Sequence, residues 1–279
     1  AKMHPSVRMW ECPNFFKLDD QFVLLVSLFP DVQGVYYYVG SYDGYEFSPH
    51  KEGYLENGPV FYAPQVRRFE YGKTILFAWL VERRSESALK AAGWAGVQAL
   101  PRQLGLDASG KLVSQPIDAF KCLRGKPYHF RDLILVAGEE YRLDVRGRHL
   151  EILAEIEASD GVVALHIFTS GDRQETTLIT CNPSQGIAGL DTTRSSLSPD
   201  VITDIQYVKM PPKLRGTVKI HAFIDGSVIE VWFDDRVSLS GRAYPSLADS
   251  DGVGLYSSSA THVRDMQIWE MKAIWPDVA

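Results

Sequence analysis

The chain has 279 residues, 45% of them apolar and 23% charged, with a formal net charge of −6. That length suits two compact units rather than one. The acidic balance and the scattered basic pairs, such as Arg67-Arg68 and Arg83-Arg84, offer no broad basic surface to nucleic acid. No apolar run reaches the ~18 residues that a membrane helix needs. Three cysteines, Cys12, Cys122 and Cys181, are odd in number and widely spaced, which fits neither a disulfide framework nor a zinc site. Cytoplasmic and secreted locations are both compatible with that usage. The triplet Asn182-Pro183-Ser184 carries proline in its middle and is no glycosylation acceptor.

Short strand signals dominate from the start. Phe22 to Leu28 reads as a buried strand, and a turn at 31–34 leads into a second over Val35 to Gly40. Asp43-Gly44 then suits a tight hairpin. Val66 to Phe69 and Thr74 to Leu80 repeat the rhythm about a turn at 71–73. Ser85 to Ala92 is the best helical candidate. Aromatic, glycine-punctuated antiparallel strands of this kind resemble propeller blades. The character changes near Gln115-Pro116, where residues 116–128 read as a linker with one helical turn. Strands resume at Tyr141 to Val145, His149 to Ala158, Val162 to Thr169, Thr177 to Thr180, Thr217 to Ile224, Val228 to Phe233, Ser238 to Tyr244, Gly252 to Ser257 and Met266 to Met271. Leu150 to Glu157 alternates apolar and polar residues, which predicts one packed and one wet face, as in a β-sandwich. The expected architecture is all-β: 1–115 as part of a propeller, 116–128 as the linker, and 129–279 as the sandwich.

Three stretches carry chemistry. In Met9-Trp10-Glu11-Cys12-Pro13 an acid follows a large aromatic residue that can partly desolvate it, a way to tune a general acid. The proline would stiffen the backbone that aims it. Phe61-Tyr62-Ala63-Pro64-Gln65 and Gly93-Trp94-Ala95-Gly96-Val97-Gln98-Ala99-Leu100-Pro101-Arg102 mix aromatic faces with amides, which suits a sugar ring and its hydroxyls. Read alone, each stretch is more readily a strand-end acid or a core aromatic. No histidine or carboxylate spacing marks a metal site, and no cofactor is expected.

In this order the three stretches closely resemble glycoside hydrolase family 32, the invertases, inulinases, levanases and related β-fructofuranosidases. Phe223 to Phe233 and Arg242-Ala243-Tyr244-Pro245 resemble the family's C-terminal signatures, so the likeness runs from Met9 to Pro276. It implies about blades 3–5 of a five-bladed β-propeller, then a β-sandwich. It also implies a retaining reaction on fructose-containing saccharides, with Glu11 as general acid/base and Trp10, Cys12, Tyr62 and Trp94 as substrate-binding residues. The family's nucleophile motif, Asn-Asp-Pro-Asn, and its Arg-Asp-Pro motif do not occur in this sequence; Arg131-Asp132 and Arg264-Asp265 lack the proline. The resemblance therefore implies the acid/base half of a site. Asn14 and Val60 stand where many members have aspartate. The motif wording resembles bacterial members.

Three functions follow as expectations. The first is a β-fructofuranosidase whose N-terminal blades come from another chain or were lost by truncation or processing. The second is a fructoside-binding or bracing module, in which Asp225-Gly226 makes a turn and Glu230 pairs with Arg242. The third is a degenerate product that exchanges partners, because an open set of blades exposes strand edges and favours a homo-oligomer.

Overall fold

The computed structural model describes residues 7–29, 34–69 and 72–275. The turn expected at 31–34 and Tyr71 of the turn at 71–73 fall largely outside them, as does Pro276. The described residues are all-β with one short α-helix, and they divide into two compact units: residues 1–82 with 95–118, and residues 83–94 with 119–279.

The first unit holds two antiparallel sheets. One runs β1 (Met9–Leu18), β2 (Gln21–Phe29), β3 (Val35–Tyr42), β4 (Phe47–Tyr54) in simple up-and-down order. Val23, Leu25, Val26 and Leu28 of β2 and Val35, Tyr37, Tyr38 and Val39 of β3 are buried and form its centre. The β3–β4 hairpin closes at the expected Asp43-Gly44, where Asp43 Oδ1 accepts the amides of Tyr45 and Glu46, both at 2.8 Å, and Gly44 takes φ +104. The other sheet runs β5 (Phe61–Arg68), β6 (Thr74–Leu80), then β8 (Arg102–Leu106) and β9 (Leu112–Pro116). The short β7 (Val97–Gln98) pairs with the far end of β6. Strands β7–β9 complete this second sheet instead of starting another. The described residues of this unit thus form two blade-like sheets where about three were anticipated. A buried ion pair, Arg102 Nη1 to Glu56 Oε2 at 2.5 Å with both side chains fully shielded, ties β8 to the segment after β4, and the Arg102 guanidinium lies 4.2 Å from the Phe61 ring centre.

The second unit begins with the excursion 83–94. Its helix α1 (Glu86–Ala92) buries no residue, and a helix this short does not hold itself. Its ends hold it. Ser85 Oγ accepts the Ala88 amide, the Gly93 amide closes on Leu89 O, and Ser85 is tied through backbone and side chain to Asp200. The expected linker 116–128 proves to be a 3-10 turn at Asp118–Leu123 followed directly by strand.

Two six-stranded antiparallel sheets make up the rest. The first is ordered β10 (Arg124–Leu135), β21 (Thr261–Met271), β12 (His149–Glu157), β17 (Thr217–Asp225), β18 (Val228–Phe233), β19 (Val237–Arg242). The second is ordered β11 (Glu140–Arg146), β20 (Gly252–Ser257), β13 (Val163–Thr169), β14 (Thr177–Asn182), β15 (Ile187–Asp191), β16 (Ile205–Lys209). Their inner faces share one core, with Ile152, Ile220, Val231 and Ile268 from one sheet and Val163, Leu165, Ile179 and Leu255 from the other. This is a β-sandwich. The β17–β18 hairpin turns at Gly226, with φ +60, as the Asp-Gly pair predicts.

One expectation fails here. Glu151, placed by alternation on a wet face, is buried, because Arg124 of β10 and His221 of β17 close over it. Arg124 donates twice, at 2.6 and 2.7 Å, and His221 Nε2 lies 2.9 Å from Oε1. Glu230 and Arg242, expected to pair, are buried as well; register places them on one face of neighbouring strands, and Arg242 Nη2 donates to Ser227 Oγ at 2.8 Å. The outer face of this sheet is covered where alternation alone supposes water.

Candidate active site

Glu11 lies on β1 at the point where its pairing with β2 slips: the register breaks between Glu11 and Asn14, and Cys12 takes φ +48. Strand β5 repeats the feature. Its pairing with β6 slips between Tyr62 and Gln65, and Ala63 takes φ +50. In each case the left-handed residue precedes a proline, Pro13 or Pro64. Such residues cost of order 1–3 kcal/mol each and persist where surrounding contacts dictate them. The two bulges bring their leading side chains together, and Tyr62 Oη donates to Glu11 Oε2 at 2.5 Å.

The contacts that dictate this geometry run between the two strands. Asn14 Nδ2 donates to Cys12 O at 2.9 Å and to Pro64 O at 2.8 Å, while its Oδ1 accepts the Val66 amide at 2.9 Å. Ser27, fully buried opposite Glu11 in β2, accepts the Ala63 amide at 3.1 Å. An aspartate at position 14 would turn a carboxylate oxygen toward two carbonyl oxygens, so the asparagine suits this frame. Val60 is fully buried, in a place closed to a charged side chain. Sequence reasoning notes Asn14 only as a departure and misses Ser27. The available signal is the repetition of an X-Pro pair followed by an amide residue in both motifs.

Burial and the neighbouring Glu11 carboxylate push the Tyr62 phenol well above its ordinary range, so it remains a donor. Glu11 and Cys12 are half-buried, and Tyr62 is 8% exposed. Trp10 packs its ring 5.5 Å from that of Tyr38 and against Val26 and Leu28. Beside the β5 bulge lies an open cavity of about 410 Å³ lined by Gln65, Trp79, Gly96 and Gln98. A Cβ on Gly96, φ +69, would fall 1.9 Å from Trp79 Nε1, so only glycine seats that indole. Trp94 belongs to the second unit. There the Arg84 guanidinium lies 4.2 Å from its ring centre and 4.8 Å from that of Tyr244. Among the described residues no group of three or more His, Cys, Asp or Glu side chains is placed to hold a metal ion.

The models for the N-terminal domain and the C-terminal domain of glycosyl hydrolases family 32 match residues 1–116 and 121–270. Among curated proteins the chain is 29% identical to the sucrose-6-phosphate hydrolase of Zymomonas mobilis, over 85% of this chain and 48% of that protein. It is 28% identical to β-fructofuranosidase, insoluble isoenzyme 1, of Oryza sativa, over 95% and 57%. The chain thus spans about half the length of the curated relatives it matches. Among solved structures, fructan 1-exohydrolase IIa of Cichorium intybus superposes with a TM-score of 0.85 at 18% identity, covering 96% of this chain and 62% of that one. The exo-inulinase of Aspergillus awamori gives 0.81 at 22%, covering 95% and 57%. The two solved structures share this chain's fold, and the chain belongs to glycosyl hydrolases family 32.

Proposed function

We propose that this chain supplies the acid/base half of a retaining β-fructofuranosidase acting on terminal β-fructosides such as sucrose, fructo-oligosaccharides, inulin or levan. The observation that carries the reading is the Tyr62–Glu11 hydrogen bond, built by two matched bulges and latched by Asn14. Tyr62 occupies Oε2, so the proton of the acid form sits on Oε1. From there it passes to the leaving glycosidic oxygen as the bond to the anomeric carbon breaks, and in the second step the carboxylate recovers it from the attacking water. Half-burial beside Trp10 and Cys12 keeps Glu11 reachable by a sugar.

A retaining reaction needs a second carboxylate about 5–5.5 Å from the first. No Asn-Asp-Pro-Asn motif occurs in this sequence, so the nucleophile comes from residues outside it, on a preceding segment or a complementing chain. The names of the relatives support fructoside hydrolysis; one structural neighbour, a variant of the Cichorium enzyme, is in complex with 1-kestose.

The test is fructose release from sucrose and inulin by the chain alone, by the chain supplied with an N-terminal half from a relative, and by the same mixture carrying Glu11→Gln. Activity is expected only in the mixture, with the variant slower by about 10²–10⁴-fold. Full retaining activity from the unsupplemented chain would show that its nucleophile lies within these residues.

A further inference from the structure

Strand register carries the Glu11–Tyr62 pair one step further into the second sheet of the first unit. Tyr62 stands opposite Trp79 of β6, and Trp79 stands opposite Gln98 of β7, so the three side chains share one face. The next row on that face is Gln65 opposite Phe77. These residues line the open cavity of about 410 Å³ beside the β5 bulge, whose lining residues among those described are all uncharged. The Trp79 indole is its largest wall, and it is 46% exposed while Ala78 and Leu80 on the other face are buried.

An indole as open as this has rotamers to choose from, and its contact with Gly96 narrows the choice. Gly96 is left-handed, and its bare Cα lies against the five-membered ring: a Cβ there would come within 1.9 Å of Nε1 and 2.9 Å of Cδ1 and Cε2. Gly96 stands just beyond the β6–β7 pairing, which ends at Leu80 and Val97. The ladder stops short of it, and its amide donates instead to Glu82 Oε1 at 2.7 Å. Residues 82 and 96 bracket the excursion 83–94, which leaves the first unit and returns to it. The bond therefore closes the excursion at its base, and a carboxylate acceptor makes it stronger than a bond to a carbonyl.

From this geometry we infer that Glu82 is a positioning residue for the Glu11 site: by fixing the Gly96 turn it sets the angle of the Trp79 indole, and with it the shape of the cavity beside Tyr62. The inference rests on the hydrolase reading, because it takes this cavity as the place a substrate enters. Glu82 is not among the residues that line the cavity, and its carboxylate is turned to the backbone. It acts through Trp79 alone. A wall tilted out of place weakens the ground state and the transition state alike, so KM rises while kcat holds. A staple that served stability only would leave both the indole and KM where they are.

The experiment labels the tryptophan indoles of the full chain with nitrogen-15 and identifies the Trp79 Nε1 signal by its loss in Trp79→Phe. Glu82→Ala is expected to move and broaden that signal and to speed Gly96 amide exchange about tenfold. In the complemented enzyme it should raise KM for sucrose about fivefold, with kcat held within about twofold. Glu82→Gln keeps an oxygen for the Gly96 amide and should bring all three readouts back toward those of the unaltered chain. Gly96→Ala leaves Glu82 in place but drives the indole from its seat, and it should raise KM in the same way. Were Glu82→Ala to unfold, Glu82→Asp, one methylene short of the amide, carries the same readouts with smaller effects. An unmoved Trp79 signal, or a moved signal with KM unchanged, overturns the inference. If the complemented, unaltered mixture releases no fructose, the hydrolase reading falls by itself, and titration of the Trp79 signal with 1-kestose decides the role of Glu82. A response weakened in Glu82→Ala supports it; an equal response, or none in either chain, overturns it.

Discussion

The two units treat their carboxylates in contrasting ways. In the sandwich Glu175 is fully buried and accepts five hydrogen bonds, from Leu197, Leu247, Ser250 and twice from Ser246, which knit two other loops to one side chain. Glu151 is held by a bidentate arginine and a histidine. In the first unit Glu11 stands half-buried on a strained bulge with one phenol as its partner. The contrast does not merely separate one domain from another, because Glu56, also in the first unit, is as enclosed as Glu175. A carboxylate surrounded by donors holds structure. One left with a free oxygen and held by a strained frame is set up to exchange a proton.

The largest effect expected from breaking this contrast lies at Arg102. Arg102→Leu leaves Glu56 buried without its cation and should cost about 3–5 kcal/mol in denaturant unfolding. A loss under about 1 kcal/mol would mean that the enclosed pair does not hold the first unit.

Glu175→Gln comes next, since an amide would point its N–H at groups that are themselves donors; a loss of about 3 kcal/mol is expected. Acid should produce the same loss reversibly. Burial pushes Glu175 up, but the hydrogen bonds from Ser246, Ser250 and Leu247 outweigh it and hold the carboxyl at about 2, against an ordinary 4.5. Burial likewise raises Glu151, and Arg124 with His221 bring it down to about 2. Because the folded-state values lie below the unfolded ones, this stabilisation is complete above about pH 4.5 and disappears as the pH falls toward 2, by about 3 kcal/mol per group. Melting of the sandwich followed across that window checks it, and a Glu175→Gln chain should show a shallower decline.

Legibility in the sequence divides along similar lines. Strands dense in buried apolar residues, such as β2, β13 and β18, are evident from composition, and α1 from its run over Ser85 to Ala92. Strand β4, Phe-Ser-Pro-His-Lys-Glu-Gly-Tyr, is missed because it has little apolar side chain to bury and takes its shape from pairing with β3. Strand β10 is missed because its charged opening residues read as a linker, when Arg124 in fact packs 3.7 Å from the Trp269 ring centre and reaches Glu151. At the candidate site the side chains named from the motifs, Glu11 and Tyr62, do meet. The strands that force them to meet are joined by Asn14 and Ser27, fifty and thirty-six positions from their partners, and no local pattern reports such distant bonds.

Two smaller effects sharpen the comparison from the catalytic side. Tyr62→Phe removes the single donor to Glu11 and should lower kcat/KM of the complemented enzyme by about tenfold or somewhat more, with kcat falling in step. A change in KM alone would reassign Tyr62 to binding. Glu11→Gln should alter unfolding free energy by less than about 0.5 kcal/mol, because one hydrogen bond at a half-open position is all that is exchanged. A marked destabilisation would place Glu11 with Glu175 among the structural acids.

The Asn14 latch has a mechanical consequence. Its amide group spans from the kink of one sheet to the backbone of the next, so the aim of the acid and the stiffness of its neighbour strand are a single property. The Val66 amide, protected only while Asn14 Oδ1 accepts it, works as a gauge on that joint: its hydrogen-exchange rate reads, from a different sheet, how firmly Glu11 is held.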